Sequence, residues 1–336
     1  MNRPALAMGV SNLEYFNIML TYYPRDAVET FDAYIFFDDT KVTEKSLELI
    51  IKGHDLSLFN NATLISIKSL NTHYIKRYSL NDNSIEMMFK LGCIFKVFIP
   101  SYLNEHYGVT QVYTSDDDVF IFKDLSYMFE KYKGFGYNKD NLFIIRNKNR
   151  MQVLNAYNEI FETDFTLNEL NVNSINSGNL MFQYEDRIEE DARKFVSHPY
   201  VYHLYKNYHG ITSWTIEQRF QHFHLHRIIR DGGLVEMIAG GDMRLYQNID
   251  KKALAEDYIP KHLKRSVPSL IHYAIGSKKP IFLRQFILGI EWRTGITYQP
   301  KYELKDILYD KSWRPNMFKH IQKEMKNRDI KTKSLF

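Results

Sequence analysis

Apolar and polar positions alternate in blocks along the first 125 residues, in an order typical of strands followed by helices. Short apolar runs bounded by turn residues predict strands at residues 5–10, 33–37, 63–67 and 111–114. Helix-spaced apolar positions predict intervening helices at residues 13–21, 43–52 and 84–98. Pro100 is expected to end the last of these helices near Ile99. This alternation predicts an α/β fold, with a mostly parallel sheet flanked by helices on both faces.

The second half of the chain adds further strand patterns and a basic end. Three more strands are predicted, at residues 134–137, 142–145 and 179–182. We expect a catalytic domain over residues 1–300 and a basic amphipathic helical tail over 301–336, because residues 311–336 carry eight Lys or Arg against two acidic residues. Such a helix can lie on anionic lipid, contact nucleic acid phosphates or pack on its own domain, and the pattern leaves these alternatives open.

Composition narrows the class of protein. With 44% hydrophobic and 25% charged residues, the 336-residue chain is typical of globular proteins. Its single cysteine, Cys93, excludes an internal disulfide and a cysteine-based zinc cage, and favours a reducing, cytoplasmic location. No apolar run reaches the roughly 18 residues of a membrane span. Residues 1–10 also lack the apolar centre of a secretory signal, so we expect at most a peripheral membrane contact.

The most informative stretch is residues 112–122, where an apolar run stops on three aspartates and then resumes. In an extended backbone, Asp116 and Asp118 point to the same face and can turn toward one ion. A divalent cation held there can neutralise a diphosphate. The simpler interpretation is a polar turn between two strands, with Asp117 and Asp118 as turn residues. Both interpretations fit the local sequence equally well.

Three later segments have the chemistry to join the same site. Asn176, Ser177 and Gly178 precede a predicted strand and offer small polar groups with a permissive backbone, although a plain turn explains them too. Glu217 and Gln218 follow Trp214 within one helical turn, and the start of a surface helix would explain them equally well. The third segment joins His272 to a loop with Gly276 and the cations Lys278 and Lys279, which suits metal and phosphate binding.

In this order, the segments resemble the retaining glycosyltransferases of family 8, which include glycogenin and the bacterial lipopolysaccharide α-galactosyltransferases. The run Asp116-Asp117-Asp118, followed by Asp124-Leu125, is similar to the Asp-x-Asp signature of that family. The resemblance implies a GT-A fold, a single Rossmann-like sheet in which Asp116, Asp118 and His272 bind Mn²⁺ or Mg²⁺.

The resemblance also implies roles for the other segments. Asn176 is expected to be catalytic, with Ser177 and Gly178 at the donor sugar, as in the Asn-Ala-Gly turn of the family. Gln218 would lie beside the anomeric carbon, with Glu217 in place of the usual aspartate. Trp214 is a candidate to stack on the acceptor ring. The remaining expected donor-binding residues are Met8, Val10, Tyr15, Lys96, Asp117, Gly276, Lys278 and Lys279.

Two departures from the family pattern change these expectations. Three residues instead of two separate His272 from Gly276, so Lys278 can replace Lys279 as the phosphate-binding lysine. Lys96 stands where the family has an arginine that touches the donor, which keeps the charge but loses the two-pronged geometry.

The implied function is metal-dependent transfer of a sugar from a nucleoside diphosphate sugar, such as a UDP-sugar, to an acceptor hydroxyl with retention of configuration. The acceptor is left open among a glycan or glycolipid, a protein, and a modified DNA base of a virus or phage. The alternative is a haloacid-dehalogenase phosphatase, whose first aspartate is a nucleophile. That class places its motif near the first strand, whereas here three predicted strands precede the one that leads to Asp116.

A second strand that ends on aspartates lies earlier in the chain. Phe36 and Phe37 precede Asp38, Asp39 and Thr40. We interpret Asp38 or Asp39 as a turn or helix cap at the end of the second strand.

Overall fold

The computed structural model describes residues 3–90, 94–139, 150–170, 175–207, 216–238, 243–245 and 270–272. The predicted strand at 142–145 and the predicted tail at 301–336 lie outside these ranges. The division into a catalytic domain and a tail therefore stays a prediction.

The described residues form ten strands and twelve α-helices. The strands are β1 Pro4–Val10, β2 Asp32–Phe37, β3 Thr63–Ser66, β4 Gln111–Asp116, β5 Val119–Ile121, β6 Phe135–Lys139, β7 Ile175–Gln183, β8 Val235–Met237, β9 Met243–Leu245 and β10 Leu270–His272. The helices are α1 Leu13–Tyr22, α2 Glu44–His54, α3 Ser57–Asn60, α4 Ile67–Tyr78, α5 Asp82–Lys90, α6 Ile99–Tyr107, α7 Ser126–Lys131, α8 Arg150–Phe161, α9 Leu167–Leu170, α10 Asp186–Ser197, α11 Pro199–Asn207 and α12 Ile216–Arg230. A 3-10 helix spans Ile94–Val97.

Seven strands form the main sheet, in the order β3-β2-β1-β4-β7-β6-β8. β1 pairs in parallel with both β2 and β4, and β6 pairs in parallel with β8. Only β7 is antiparallel to its neighbours β4 and β6. The predicted α/β class with a mostly parallel sheet is confirmed.

Both faces of this sheet are buried, as the continuous apolar strands require. Along β1, Ala5 and Ala7 belong to one core cluster, while Leu6 and Met8 belong to the other, on the opposite face. Successive strand residues point to opposite faces, so this alternation shows core on both sides of β1. Of the helices that the structure describes, none is long and apolar enough to span a membrane.

The helix predicted at residues 84–98 is wrong in its extent. α5 ends at Lys90, a 3-10 helix covers Ile94–Val97, and α6 then begins at Ile99. Pro100 lies in the first turn of α6, so it begins a helix instead of ending one. The first helical turn leaves backbone N–H groups without partners in any case, so the missing N–H of proline costs nothing there.

A smaller sheet with strand order β5-β10-β9 flanks the aspartates. β10 pairs antiparallel with β5, and the register sets His272 opposite Val119. This pairing brings the end of β10 next to the residue that follows Asp118.

The aspartates that follow β2 have structural roles, as predicted. Asp38 Oδ1 accepts hydrogen bonds from the backbone N–H and the hydroxyl of Thr40, at 3.0 and 2.6 Å. Asp39 Oδ2 accepts from the backbone N–H of Lys68 in the first turn of α4, at 3.0 Å. The first aspartate caps a turn and the second caps a helix, so these carboxylates are already satisfied within the fold.

Candidate functional site

The candidate site lies where β1 and β4 end side by side. The two strands are parallel, and their register pairs Gly9 with Asp116 at the carboxyl edge of the sheet. Ligands of open α/β sheets bind at this edge, because polar loops and backbone ends converge there. Asp116 ends β4 at this edge, and Asp117 and Asp118 follow it directly.

Asp116, Asp118 and His272 converge at this edge. One ligand atom from each lies within 4.8 Å of the others. His272 Nε2 is 3.2 Å from Asp118 Oδ1, and the other ring nitrogen, Nδ1, is buried and has no hydrogen-bond partner among the described residues. Two carboxylates and an imidazole are a donor set that fits a divalent cation. The residues that the resemblance assigned to metal binding are thus brought together.

Lys96 is part of the same cluster. Its Nζ lies 2.6 Å from Asp116 Oδ1, and the 3-10 helix that carries it packs against α12. Burial raises the pKa of Asp116, Lys96 opposes that change, and Asp118 adds to it. Two aspartates, Asp116 and Asp118, against one lysine leave an excess of negative charge, which a divalent cation would offset.

Asp117 points away from this cluster and into the loop between β1 and α1. Its Oδ2 accepts from the backbone N–H of Ser11 and of Asn12, both at 2.6 Å, and from the Ser11 hydroxyl at 3.1 Å. Burial, and next the charge of Asp118, raise the pKa of Asp117 to about 7, against the effect of these hydrogen bonds. The observed contacts give Asp117 a structural role; its predicted contact with the donor stays a prediction.

We expect Asp117→Ala to lower the free energy of unfolding by about 2–4 kcal/mol, because two backbone N–H groups would lose their acceptor. Urea unfolding of the two proteins measures the difference. Asp117→Asn, which keeps one oxygen acceptor, is the matched control and should lose less. Equal stability of the alanine variant and the natural protein would contradict this structural role.

Asn176, Ser177 and Gly178 lie inside β7, not before a strand as the sequence suggested. The register between β6 and β7 shifts here: Tyr137 pairs with Leu180, but the next residue, Asn138, pairs with Asn176. β7 therefore carries extra residues at this point, a bulge of the kind that re-aims side chains at functional sites. A plain alternation of apolar residues cannot reveal such a bulge, so the prediction started the strand four residues late.

Gly178 fits closely against His272. A Cβ added to Gly178 would lie 2.1 Å from Cε1 and 2.7 Å from Nε2 of the imidazole ring. Its backbone N–H donates to Asn176 Oδ1 at 2.9 Å, and Asn176 is itself buried. The bulge of β7 thus packs against the ring of His272, the candidate metal ligand, and restricts its position.

Two residues near the site had no sequence signal strong enough to identify them. Asn179 is fully buried, pairs with Ser115 beside Asp116, and accepts a hydrogen bond from the Tyr113 hydroxyl at 2.8 Å. Gly9 lies next to Asp116, and a Cβ there would lie 3.1 Å from Cζ of Phe95. Their importance depends on the pairing of β4 with β1 and β7, which the sequence alone did not specify.

Glu217 and Gln218 lie in the first turn of α12, and both are buried. The Gln218 side-chain amide donates to the backbone carbonyl of Ile175, directly before Asn176. Glu217 is 2% exposed, and its charge adds a little to the rise that burial causes in the pKa of Tyr157 of α8, which Arg219 opposes. Gln218 is thus held against the strand that carries Asn176 and Gly178.

The other predicted residues fall into two groups. Met8 and Val10 are buried in the core and Tyr15 is 8% exposed, so the side chains assigned to the nucleotide pocket fill the interior. Trp214, Gly276, Lys278 and Lys279 lie outside the described residues, as does the side chain of Ser177. The assigned roles of all these residues stay predictions.

No family model matches the chain, and no curated protein matches it. Several solved structures are similar in shape. Mouse xyloside xylosyltransferase 1 is 10% identical at a TM-score of 0.46, over 81% of this chain and 98% of that one. The galactosyltransferase LgtC, solved with donor and acceptor sugar analogues, is 13% identical with a TM-score of 0.43, and the match covers 88% of this chain and 97% of LgtC. The bifunctional glycosyltransferase WbbM is 13% identical with a TM-score of 0.46, and the match covers 88% of this chain and 51% of WbbM.

These similar structures are glycosyltransferases of the GT-A type. In this chain, the residues that indicate a function are those that meet at the end of β4.

Proposed function

We propose that the protein is a metal-dependent glycosyltransferase that moves a sugar from a nucleoside diphosphate sugar, such as a UDP-sugar, to an acceptor hydroxyl. The observation that carries the proposal is the convergence of Asp116, Asp118 and His272 at the carboxyl edge of the sheet. Asp116 ends β4 and Asp118 lies in the turn that follows it, whereas His272 comes from β10, so a simple polar turn does not account for the meeting of all three. Their order along the chain, and the Asp-x-Asp spacing, also resemble the family 8 signature.

The charge of the site suits a diphosphate leaving group. Asp116, Asp118 and His272 would hold Mn²⁺ or Mg²⁺, and such an ion stabilises the negative charge that develops on the departing phosphate. Carboxylates fit either ion, while the imidazole favours Mn²⁺ over Mg²⁺. Lys96, which lies against Asp116, supplies a further positive charge at this edge. The predicted phosphate contact of Lys278 or Lys279 would add another.

We infer that transfer retains the anomeric configuration through attack on the same face as the leaving group. A double displacement needs a carboxylate next to the anomeric carbon. Gln218, which is held against β7, is a poor nucleophile because its amide carries no negative charge. The acceptor proton would then pass to the departing phosphate, with Asn176 and Gln218 orienting the sugar.

Glu217→Gln is therefore expected to keep transfer activity within about tenfold of the natural protein, since the acceptor itself supplies the nucleophile in this mechanism. The measurement is the rate of donor turnover, with the anomer of the product assigned by NMR. A loss of about 1000-fold or more in a folded variant would instead support Glu217 as the nucleophile of a double displacement.

The acceptor remains a proposal with several candidates. A glycan or glycolipid at a membrane surface and a modified base in viral or phage DNA both fit a basic tail, and a protein acceptor fits the resemblance to glycogenin. Binding that rests on DNA phosphates weakens steeply as salt rises. A cytoplasmic location, with peripheral membrane contact through the tail, is the expectation that goes with these acceptors.

The test of the proposal is release of free sugar from a panel of nucleotide sugars, with and without Mn²⁺. Many transferases slowly hydrolyse their own donor when no acceptor is present. We expect one donor to be hydrolysed in a metal-dependent manner, which would also identify the sugar. If no donor is hydrolysed, and none raises the Tm in the presence of metal, the proposal is wrong. Release of phosphate from a simple aryl phosphate would instead favour the phosphatase. The motif of that class is expected near the first strand, which here is β1 and ends at Val10 without an aspartate pair.

A further inference from the structure

A second group of potential metal ligands lies on two helices away from the candidate active site. His73 is in α4, and Glu105 and His106 are in the last turn of α6; one ligand atom from each lies within 4.8 Å of the others. His73 Nε2 is 3.5 Å from Glu105 Oε2, and this nitrogen is buried without a hydrogen-bond partner among the described residues. Glu105 and His106 are exposed, which leaves the group open to solvent on one side.

The electrostatic balance of this group favours a cation. Arg77 donates to Glu105 Oε1 at 2.6 Å and also pairs with Glu189 at 2.9 Å. One guanidinium charge is thus shared by two carboxylates, so the set keeps one net negative charge when the histidines are neutral. The bond to Arg77 also fixes the carboxylate and leaves Oε2 facing His73, as outer partners do for metal-ligating carboxylates.

Aromatic contacts hold both imidazole rings in place. The Tyr102 ring lies 5.8 Å from the His73 ring and 4.3 Å from the His106 ring, measured between centroids. The Tyr74 ring packs edge-on against His73 at 4.9 Å. Because helices carry the ligands and neighbouring rings restrict them, little side-chain freedom would be lost on binding an ion.

We propose that His73, Glu105 and His106 form a second cation site, which takes a borderline transition metal ion such as Zn²⁺ and joins α4 to α6. Two imidazoles and one carboxylate, with a water in the fourth position, are a recurrent zinc ligand set. The site is separate from the Asp116 cluster. α6 leads into the start of β4, whereas Asp116 ends that strand roughly 16 Å away. Nothing in this proposal depends on the glycosyltransferase assignment.

The experiment measures Zn²⁺ binding to the untagged full chain by calorimetry after removal of metal with a chelator. Asp118→Asn serves as the parent protein, so that the first cluster contributes less. We expect one Zn²⁺ per chain and a Tm that rises with Zn²⁺. His73→Gln and His106→Gln should each weaken binding by at least about tenfold, since losing even an outer partner of a metal ligand costs about 10- to 100-fold.

His203→Gln, at an exposed histidine of α11 outside the group, is the matched control and should bind as the parent does. Circular dichroism of the metal-free variants checks that each one folds. If the Asp118→Asn parent binds no Zn²⁺, or if folded His73→Gln and His106→Gln bind as the parent does, the proposal is overturned. Glu105→Gln provides an independent variant if either histidine variant fails to fold.

Discussion

Asp118→Asn is expected to abolish metal-dependent hydrolysis of the donor and to weaken Mn²⁺ binding. The substitution removes the charge of the carboxylate that faces His272 Nε2 at 3.2 Å. A catalytic metal contributes on the order of several kcal/mol of transition-state stabilisation. About 1.4 kcal/mol corresponds to tenfold in rate, so we expect a fall of at least about 1000-fold.

Asp39→Asn is the matched control for this experiment. Asp39 follows a buried parallel strand at the same edge of the sheet, but its carboxylate caps α4 through Lys68. Turnover and Mn²⁺ affinity should therefore stay close to those of the natural protein. Mn²⁺ binding can be followed by electron paramagnetic resonance without any donor, which separates loss of the ion from loss of the reaction. Undiminished Mn²⁺ affinity in Asp118→Asn would remove Asp118 from the metal site.

The contrast between these two strand ends shows what local sequence can establish. The runs at Asp38 and at Asp116 look alike, and both were correctly expected at the ends of strands. In the structure, the carboxylates after β2 are satisfied by a turn and a helix start, whereas Asp116 and Asp118 meet His272. The difference comes from a strand more than 150 residues later in the chain, and local pattern contains no information about that pairing.

Much of the fold was predictable because buried parallel strands have a strong sequence signal. β1 to β4 were found to within about two residues of their observed ends, since each is a short apolar run with turn residues on either side. The helix α4 was missed, because its buried face is narrow and includes the polar Asn71. The break after α5 was missed because Pro100 was interpreted as an end, and local sequence does not distinguish the first turn of a helix from the residue after one.

The sequence predicted which three candidate metal ligands lie together, but only part of the geometry around them. The family resemblance selected Asp116, Asp118 and His272, which the structure brings together. Pattern gave no indication of the bulge in β7, which places Gly178 against His272. The close packing of the His272 ring depends on atoms from three separate segments, which carry Asp118, Gly178 and His272 itself.

Gly178→Ala is expected to weaken Mn²⁺ binding by about 10- to 100-fold and to lower donor turnover at least as much. A Cβ at this position would lie 2.1 Å from Cε1 of His272, far inside contact distance, so the ring must move. Moving the ring carries Nε2 away from Asp118 Oδ1. The expected loss of Mn²⁺ affinity is as large as that caused by removing a group that orients a metal ligand.

The test that isolates this effect is a double-mutant cycle with His272→Ala. If Gly178 acts through the imidazole, the added methyl group has room once the ring is gone. Gly178→Ala should then change Mn²⁺ affinity little in the His272→Ala background, and the two effects should be strongly non-additive. Additive effects would mean that the methyl group disturbs β7 itself, for example through the hydrogen bond from Gly178 to Asn176, and not the seat of the ring.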